Sequence, residues 1–391
     1  MHQTSLALEP LARTGHPLVR GSDAPGDLTL ERSLCSAGPA VVGPIGPGDS
    51  GSADPVAFQI GWDHAQHGLV PPAALLDGSA VGQGWRAGRA VFGARVAAST
   101  RALRQWLALR LQAWRLGAPL DPARLTPGTL ARLDTPYCPV TRQPLGGSEA
   151  LAPVPMRLCE ERPFTAENLV VVSRTVAKAR AGLTAAQILQ RAERMQREDA
   201  SAQAGLDAAA WARLASLTSL ATELPGAQAA RVPLRVLPPA HVQVCNPVQA
   251  LQAALTQGLR LPGWSRRAAA IAGQLPRTAL RHDFNLFVGA LAARLMEIDP
   301  EAAERELRWA LEDAWADRRV QRRWAQFGVL LDNNECEDLL AQVQDCCGRP
   351  MLPRRHERAA RPLRAGPLRS PDSRPCVRAR QTRGPSLRAA S

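Results

Sequence analysis

The chain has 391 residues, 45% of them apolar, which is enough for sizeable cores in roughly two or three domains. Its net charge of +13 is uneven: from Gly348 to Ser391 twelve arginines face only Glu357 and Asp372, a balance of +10 that leaves +3 for the other 347 residues. Eight scattered cysteines without a C-x-x-C pair exclude a disulfide framework, and the lack of an apolar run of about 20 residues excludes a membrane-spanning helix.

The chain does not open on a basic stretch followed by an apolar run, and unpaired thiols suit a reducing compartment, so a soluble cytoplasmic protein is expected. Lys178 is the one lysine among 48 basic residues. Arginine and lysine serve alike on a solvated surface, so this bias is read as that of a GC-rich, hence bacterial, coding sequence.

Residues 1–57 are rich in Gly, Pro, Ser and Ala and show no period; they are expected to be a disordered N-terminal segment. Order is expected to begin at Phe58. In 99–117, Leu103, Trp106, Leu107, Leu111 and Trp114 recur at three- and four-residue steps, with Ser99 or Thr100 to cap the helix and Gly117 to end it. Thr126-Pro127 opens a short helix, Pro fitting the first helical position. Residues 134–147 are too turn-rich for a helix. A β-type run follows at 168–172, then a short basic helix at 173–182 closed by Gly182.

Thr184 and Gln187 form a capping box for the next helix, which runs toward Asp199. Another helix covers about 206–222. The Pro-limited stretch 231–241 reads as an extended linker. Beyond it Asn246-Pro247 opens a helix, 278–298 forms a second, Pro300 starts a third with Leu307, Leu311 and Trp315 in its stripe, and 335–347 a last one. The expected fold is mainly α: a helical region 58–230 holding a small mixed α/β module at 134–182, a helical bundle at 231–347, and a disordered basic tail at 348–391.

The segment Cys138-Pro139-Val140-Thr141, taken with 156–182, resembles HNH-type nuclease modules of the ββα-metal fold. It is most similar to a bacterial group with the pattern C-P-x-T, Asp-Arg-hydrophobic-Asn-Asn, Gly-Tyr-x-x-x-Asn, a Val-rich strand, Ser, and a helix bearing Asn and Lys. In this sequence Cys138, Pro139 and Thr141 match the knuckle, and Arg157 and Leu158 the Arg-hydrophobic pair. Phe164 stands at the aromatic position, Asn168 at the middle Asn, and Val170 to Val172 with Ser173 at the strand and helix start.

The resemblance covers about 45 residues, and the chain departs from it where chemistry would reside. Met156 replaces the acid, Ala177 the helix Asn, Pro163 the Gly and Arg180 the Lys; no His lies between 68 and 240. A thioether is a poor ligand for a hard cation. The module is therefore expected to be degenerate, with no catalytic residue, metal or cofactor. Read on the residues alone, Cys138 is a buried turn thiol and Asn168 satisfies loop backbone groups. Arg174, Lys178 and Arg180 form a basic helix face that is either a solvated surface or a set of phosphate contacts.

Elsewhere, His64 and His67, three apart with Asp63 adjacent, have metal-like spacing, but Gly61 and Gly68 flank them and no third ligand is evident. His282 reads as an ordinary core or surface residue, and Cys336, Cys346 and Cys347 lack His partners in range. Three functions are weighed. The first is a non-catalytic nucleic-acid-associated protein with a decayed HNH-like module, contacting nucleic acid through the basic tail. The second is a helical protein–protein interaction protein, contacting its partner through the bundle. The third is a metal-dependent nuclease whose ligands have moved to Glu160 and Glu161. No membrane partner is expected.

Overall fold

The computed structural model describes residues 54–198, 202–299 and 301–347. Residues 1–53 of the expected disordered segment 1–57, and the expected disordered arginine-rich tail 348–391, lie outside the described residues. What is described is mainly helical, with one two-stranded sheet. None of the described helices is long and apolar enough to cross a membrane.

Order begins earlier than Phe58. Asp54 caps α1 (Pro55–Gln66), accepting from the Val56 and Ala57 N–H groups, and also accepts from Trp114 Nε1 at 2.6 Å. Helix α2 (Ala80–Phe92) packs so closely on α1 that a Cβ on Gly61 would collide with the Val81 carbonyl. Thr100 caps α3 (Arg101–Arg115), and Gly117 leaves it at φ +59°. Thr126 caps α4 (Pro127–Leu133), with Pro at its first position.

The sheet pairs β1 (Pro153–Arg157) with β2 (Leu169–Ser173), antiparallel, with Met156 opposite Val170. Helix α5 (Arg174–Arg180) follows directly, capped by Ser173 and closed at Gly182, φ +72°. The order is therefore strand, strand, helix. The sequence reading names β2 but not β1, whose Pro153 and Pro155 are residues that a paired strand rarely holds. The structure accommodates both prolines. The Leu158 N–H donates to the Asn168 carbonyl and the Arg174 N–H to the Ala152 carbonyl, each at 2.9 Å. These bonds place the hydrogen-bonded pairs at even positions of β1, so the prolines occupy positions whose N–H would point out of the ladder.

β2 is buried on both faces, which is why it reads as a continuous apolar run. Val170 and Val172 enter a large core with Met156, Leu158 and Val176. Leu169 and Val171 enter a second core with Leu109, Leu130, Leu133 and Phe164. The hairpin thus joins the N-terminal helices to the rest of the chain.

The large core continues through α6 (Ala185–Glu198), α7 (Ala208–Ala221), α8 (Gly226–Arg231), α9 (Pro247–Leu259), α10 (Trp264–Gln274) and α11 (Thr278–Leu295). It ends with α12 (Glu304–Ala314), α13 (Arg318–Gly328) and α14 (Asn333–Cys347). The capping box of α6 is formed reciprocally by Thr184 and Gln187. An aromatic cluster of Phe284, Phe287, Trp315, Trp324 and Phe327 centres the last helices, with ring centroids 5.0–6.4 Å apart.

Two expectations are corrected here. The stretch 231–241, read as an extended linker, is packed: Val232 is buried, and Leu234, Val236 and Leu237 are buried in the same core, which runs across the expected boundary at 230/231. The third expected bundle helix spans Glu304–Ala314, with Trp315 as its C-terminal cap; Pro300, where it was expected to start, lies outside the described residues. Trp315 is nevertheless fully buried.

Candidate functional site

The turn at 137–144 closes as a small knuckle. Tyr137 and Pro144 form an antiparallel bridge, the Cys138 N–H donates to the Gln143 carbonyl (2.9 Å), and the Arg142 N–H donates back to the Cys138 carbonyl (2.8 Å). Arg142 holds the left-handed conformation at φ +60°, where glycine is the usual residue. Cys138 is fully buried and its Sγ accepts from the Ser173 N–H at 3.4 Å, tying the knuckle to the end of β2. Thr141 accepts from the Gln143 N–H through Oγ1 at 3.4 Å, a local turn contact.

Asn168 organises the loop between the strands. Its side chain is fully buried. Oδ1 accepts from the Cys159 N–H at 2.9 Å; Nδ2 donates to the Cys159 carbonyl at 2.9 Å and to the Pro163 carbonyl at 3.1 Å. Arg157 lies over the Phe164 ring, 4.2 Å from its centroid, and donates to the Glu160 carbonyl at 2.8 Å. Knuckle, Asn168 and the Arg157–Phe164 pair together hold the loop through residues on which the resemblance rests.

Met156 and Ala177, the positions where the resemblance implies ligands, have apolar packing. Met156 is 6% exposed and belongs to the large core, and Ala177 packs against that core. The nearby acids have other partners. Glu160 is ion-paired with Arg180, and Glu161 accepts from Cys159 Sγ at 2.9 Å. Among the described residues no group of three His, Cys, Asp or Glu is arranged to hold a metal ion.

The basic face on α5 is smaller than expected. Lys178 is exposed, and Arg174 is half-exposed and reaches Glu149 at 3.8 Å. Arg180 leaves the set: it is 6% exposed and donates to the Leu158 carbonyl as well as pairing with Glu160. Burial lowers its pKa to about 10, with Arg157 adding to the effect and Cys159 opposing it. A guanidinium so enclosed positions the loop instead of meeting a phosphate.

The Asp63–His64–His67 spacing also resolves into structure. Asp63 pairs with the buried Arg110, and His64 donates through Nδ1 to the Ile60 carbonyl at 2.7 Å. Burial lowers the His64 pKa. His282 is exposed on α11.

Two residues that hold the knuckle in place carried no signal in the sequence. Arg142 pairs with Asp313 (2.8 Å) and Glu312 (3.2 Å) of α12 and lies 5.4 Å from the Trp309 ring centroid. Glu312 is 2% exposed and also accepts from Arg308 Nε and the Leu237 N–H. Burial pushes its pKa up against the pull of Arg308, the Leu237 N–H and Arg142.

The thiols give a direct check of these environments. Cys138, Cys159 and Cys336 are buried, and Cys346 is exposed. Burial raises the Cys159 pKa, helped by the bond to Glu161, and raises that of Cys336 to about 12. Only thiolates alkylate readily. Brief treatment of native protein with an alkylating reagent at mildly alkaline pH, mapped by peptide mass, should modify Cys346 and spare these three until denaturant is added. Labelling of Cys159 as fast as Cys346 would show that the loop is open.

No protein-family model, curated protein or solved structure matches the chain.

Proposed function

We propose that the chain is a non-catalytic nucleic-acid-associated protein, built around an HNH-type ββα module that has lost its catalytic groups. The observation that carries the non-catalytic reading is the fate of the two ligand positions: Met156 is buried in the large core and Ala177 packs against it. The strand–strand–helix order, the Cys138 knuckle and the loop tied by Asn168 support descent from such a module. Moving the ligands to Glu160 and Glu161 would break the contacts that hold the loop. The association with nucleic acid rests on charge, since residues 348–391 hold ten of the thirteen net positive charges. The interaction-protein alternative calls for an apolar groove in the helices after 246. The exposed large apolar residues described there are Met296 and the pair Val329–Leu330, which favour no groove.

Incubated with plasmid and Mg²⁺ or Mn²⁺, the protein should leave the DNA intact. Met156→Asp should restore no cleavage, because Ala177 still supplies no ligand, and should destabilise the fold by burying a carboxylate. Duplex DNA should bind without sequence preference and lose roughly a thousandfold in affinity between 50 and 200 mM salt if about six phosphates are contacted. Deleting 350–391 should abolish that binding. Metal-dependent cleavage that disappears in Glu160→Gln or Glu161→Gln would overturn the non-catalytic reading. Tight duplex binding by the truncated chain at physiological salt would overturn the role given to the tail.

A further inference from the structure

Between the knuckle, β2, the turn at 239–241 and the start of α12 lies an open cavity of about 560 Å³, within the range of small-molecule sites. We propose that this cavity binds a nucleoside phosphate, either free or as one nucleotide of a single strand, with the base against Tyr137 and Trp309 and the phosphate at Arg305 and Arg308. The choice of ligand rests on the nucleic-acid reading; the site itself lies in the folded part, apart from the tail.

The cavity has an apolar floor, with Pro139 and Val171 among its walls, and a charged rim on which Arg305 and Arg308 outnumber Glu304. Tyr137 and Trp309 meet edge to face, with centroids 5.7 Å apart and planes at 88°, and both rings are partly exposed at the cavity, where a planar ring can pack against them beside the Arg142 and Arg305 guanidiniums. Arg305 is fixed beside them, 4.7 Å from the Tyr137 centroid and 5.3 Å from that of Trp309, by donating to the Tyr137 hydroxyl at 2.7 Å. Its nearest carboxylate, Glu306, is 3.6 Å away at the exposed surface, a contact that an incoming phosphate can outcompete.

Arg308 uses Nε on Glu312 and Nη2 on the Leu237 carbonyl; no described residue accepts from Nη1. His241 lies 2.9 Å from the Leu169 carbonyl through Nε2. A carbonyl can only accept, so Nε2 carries the proton, and in the neutral ring Nδ1 is left as an acceptor suited to the exocyclic amine of a base. Aromatic face, spare guanidinium donors and one acceptor are the complement of a nucleotide.

The test uses the full chain, at salt high enough to release duplex DNA from the tail. Adenosine monophosphate, adenosine, inorganic phosphate, a short oligoadenylate and an aspartate-rich peptide are titrated by equilibrium dialysis or competition. Adenosine monophosphate should bind saturably and more tightly than adenosine or phosphate. Arg305→Ala, a change at an exposed rim, should weaken it about tenfold, the loss of one charge-assisted hydrogen bond. Trp309→Ala should weaken it by a similar factor through lost stacking. An oligoadenylate that binds much more tightly than the monophosphate identifies a single strand as the source, and equal affinities identify the free nucleotide; either outcome supports the site.

The proposal is overturned if neither nucleotide binds, if Arg305→Ala leaves binding unchanged, or if the peptide competes as well as the nucleotide. The ligand series on the unaltered chain decides even if Trp309→Ala fails to fold. Nucleotide binding without duplex binding at any salt would sink the tail-based reading and leave the pocket standing. Duplex binding without nucleotide binding would do the reverse.

Discussion

Asn168→Ala is expected to lower unfolding free energy by about 3 kcal/mol, a large share of a typical domain's stability. The side chain joins three segments: the Cys159 N–H and carbonyl, the Pro163 carbonyl, and the short 3-10 turn Ala166–Asn168 that leads into β2. Alanine leaves the Cys159 N–H without its acceptor in a fully buried place, and that desolvation is most of the cost. Asn168→Asp separates hydrogen bonding from shape. It keeps the acceptor for Cys159 but turns a second oxygen toward carbonyls at 2.9 and 3.1 Å. When ionised it should be worse than alanine.

Such an acid has its pKa raised in the folded state. The native protein then holds the proton more tightly than the unfolded chain, and stability falls as pH rises through the folded value. Urea midpoints of Asn168→Asp should therefore recover toward acid pH, while those of Asn168→Ala follow the parent. Equal midpoints for the parent and Asn168→Ala would show that the loop is held by other contacts.

What could be read in the sequence was local. The caps at Thr100 and Thr126, the Thr184–Gln187 box and the stripe of α3 are each decided within a few residues, and the structure has them. β1 was not named from the sequence, and its Pro153 and Pro155 carry no strand signal: whether a strand tolerates proline depends on which N–H groups face the partner, and the register is a property of the pair. The stretch 231–241 looked like a linker because prolines interrupt it; its alternate apolar residues are buried by helices from both sides in sequence. Within the candidate site, the places of Cys138, Arg157, Phe164 and Asn168 followed a short-range pattern. The burial of Arg180, its pairing with Glu160 and the docking of Arg142 did not, since a charged residue in a sequence shows no sign of whether a carboxylate waits 20 or 170 residues away.

That distant carboxylate is the second strong test. Glu312→Ala should destabilise the protein by about 3 kcal/mol, the lower end of the range for breaking a buried charge pair. The carboxylate is 2% exposed and serves Arg142, Arg308 and the Leu237 N–H together. Removing it leaves Arg142, whose side chain is 15% exposed, with the Trp309 carbonyl and with Asp313 as its one carboxylate, and Asp313 lies at the surface. Arg308 is 41% exposed and can turn to water, which keeps the cost from the upper end of the range. Glu312→Gln should cost less, because an amide oxygen still accepts from one donor and the volume is kept. The double variant Arg142→Met with Glu312→Gln should recover part of the loss, since the buried cation is then gone. If Glu312 instead bonded only to Arg308, Arg142→Met would cost the same in either background, and a double-mutant cycle would show no coupling between them.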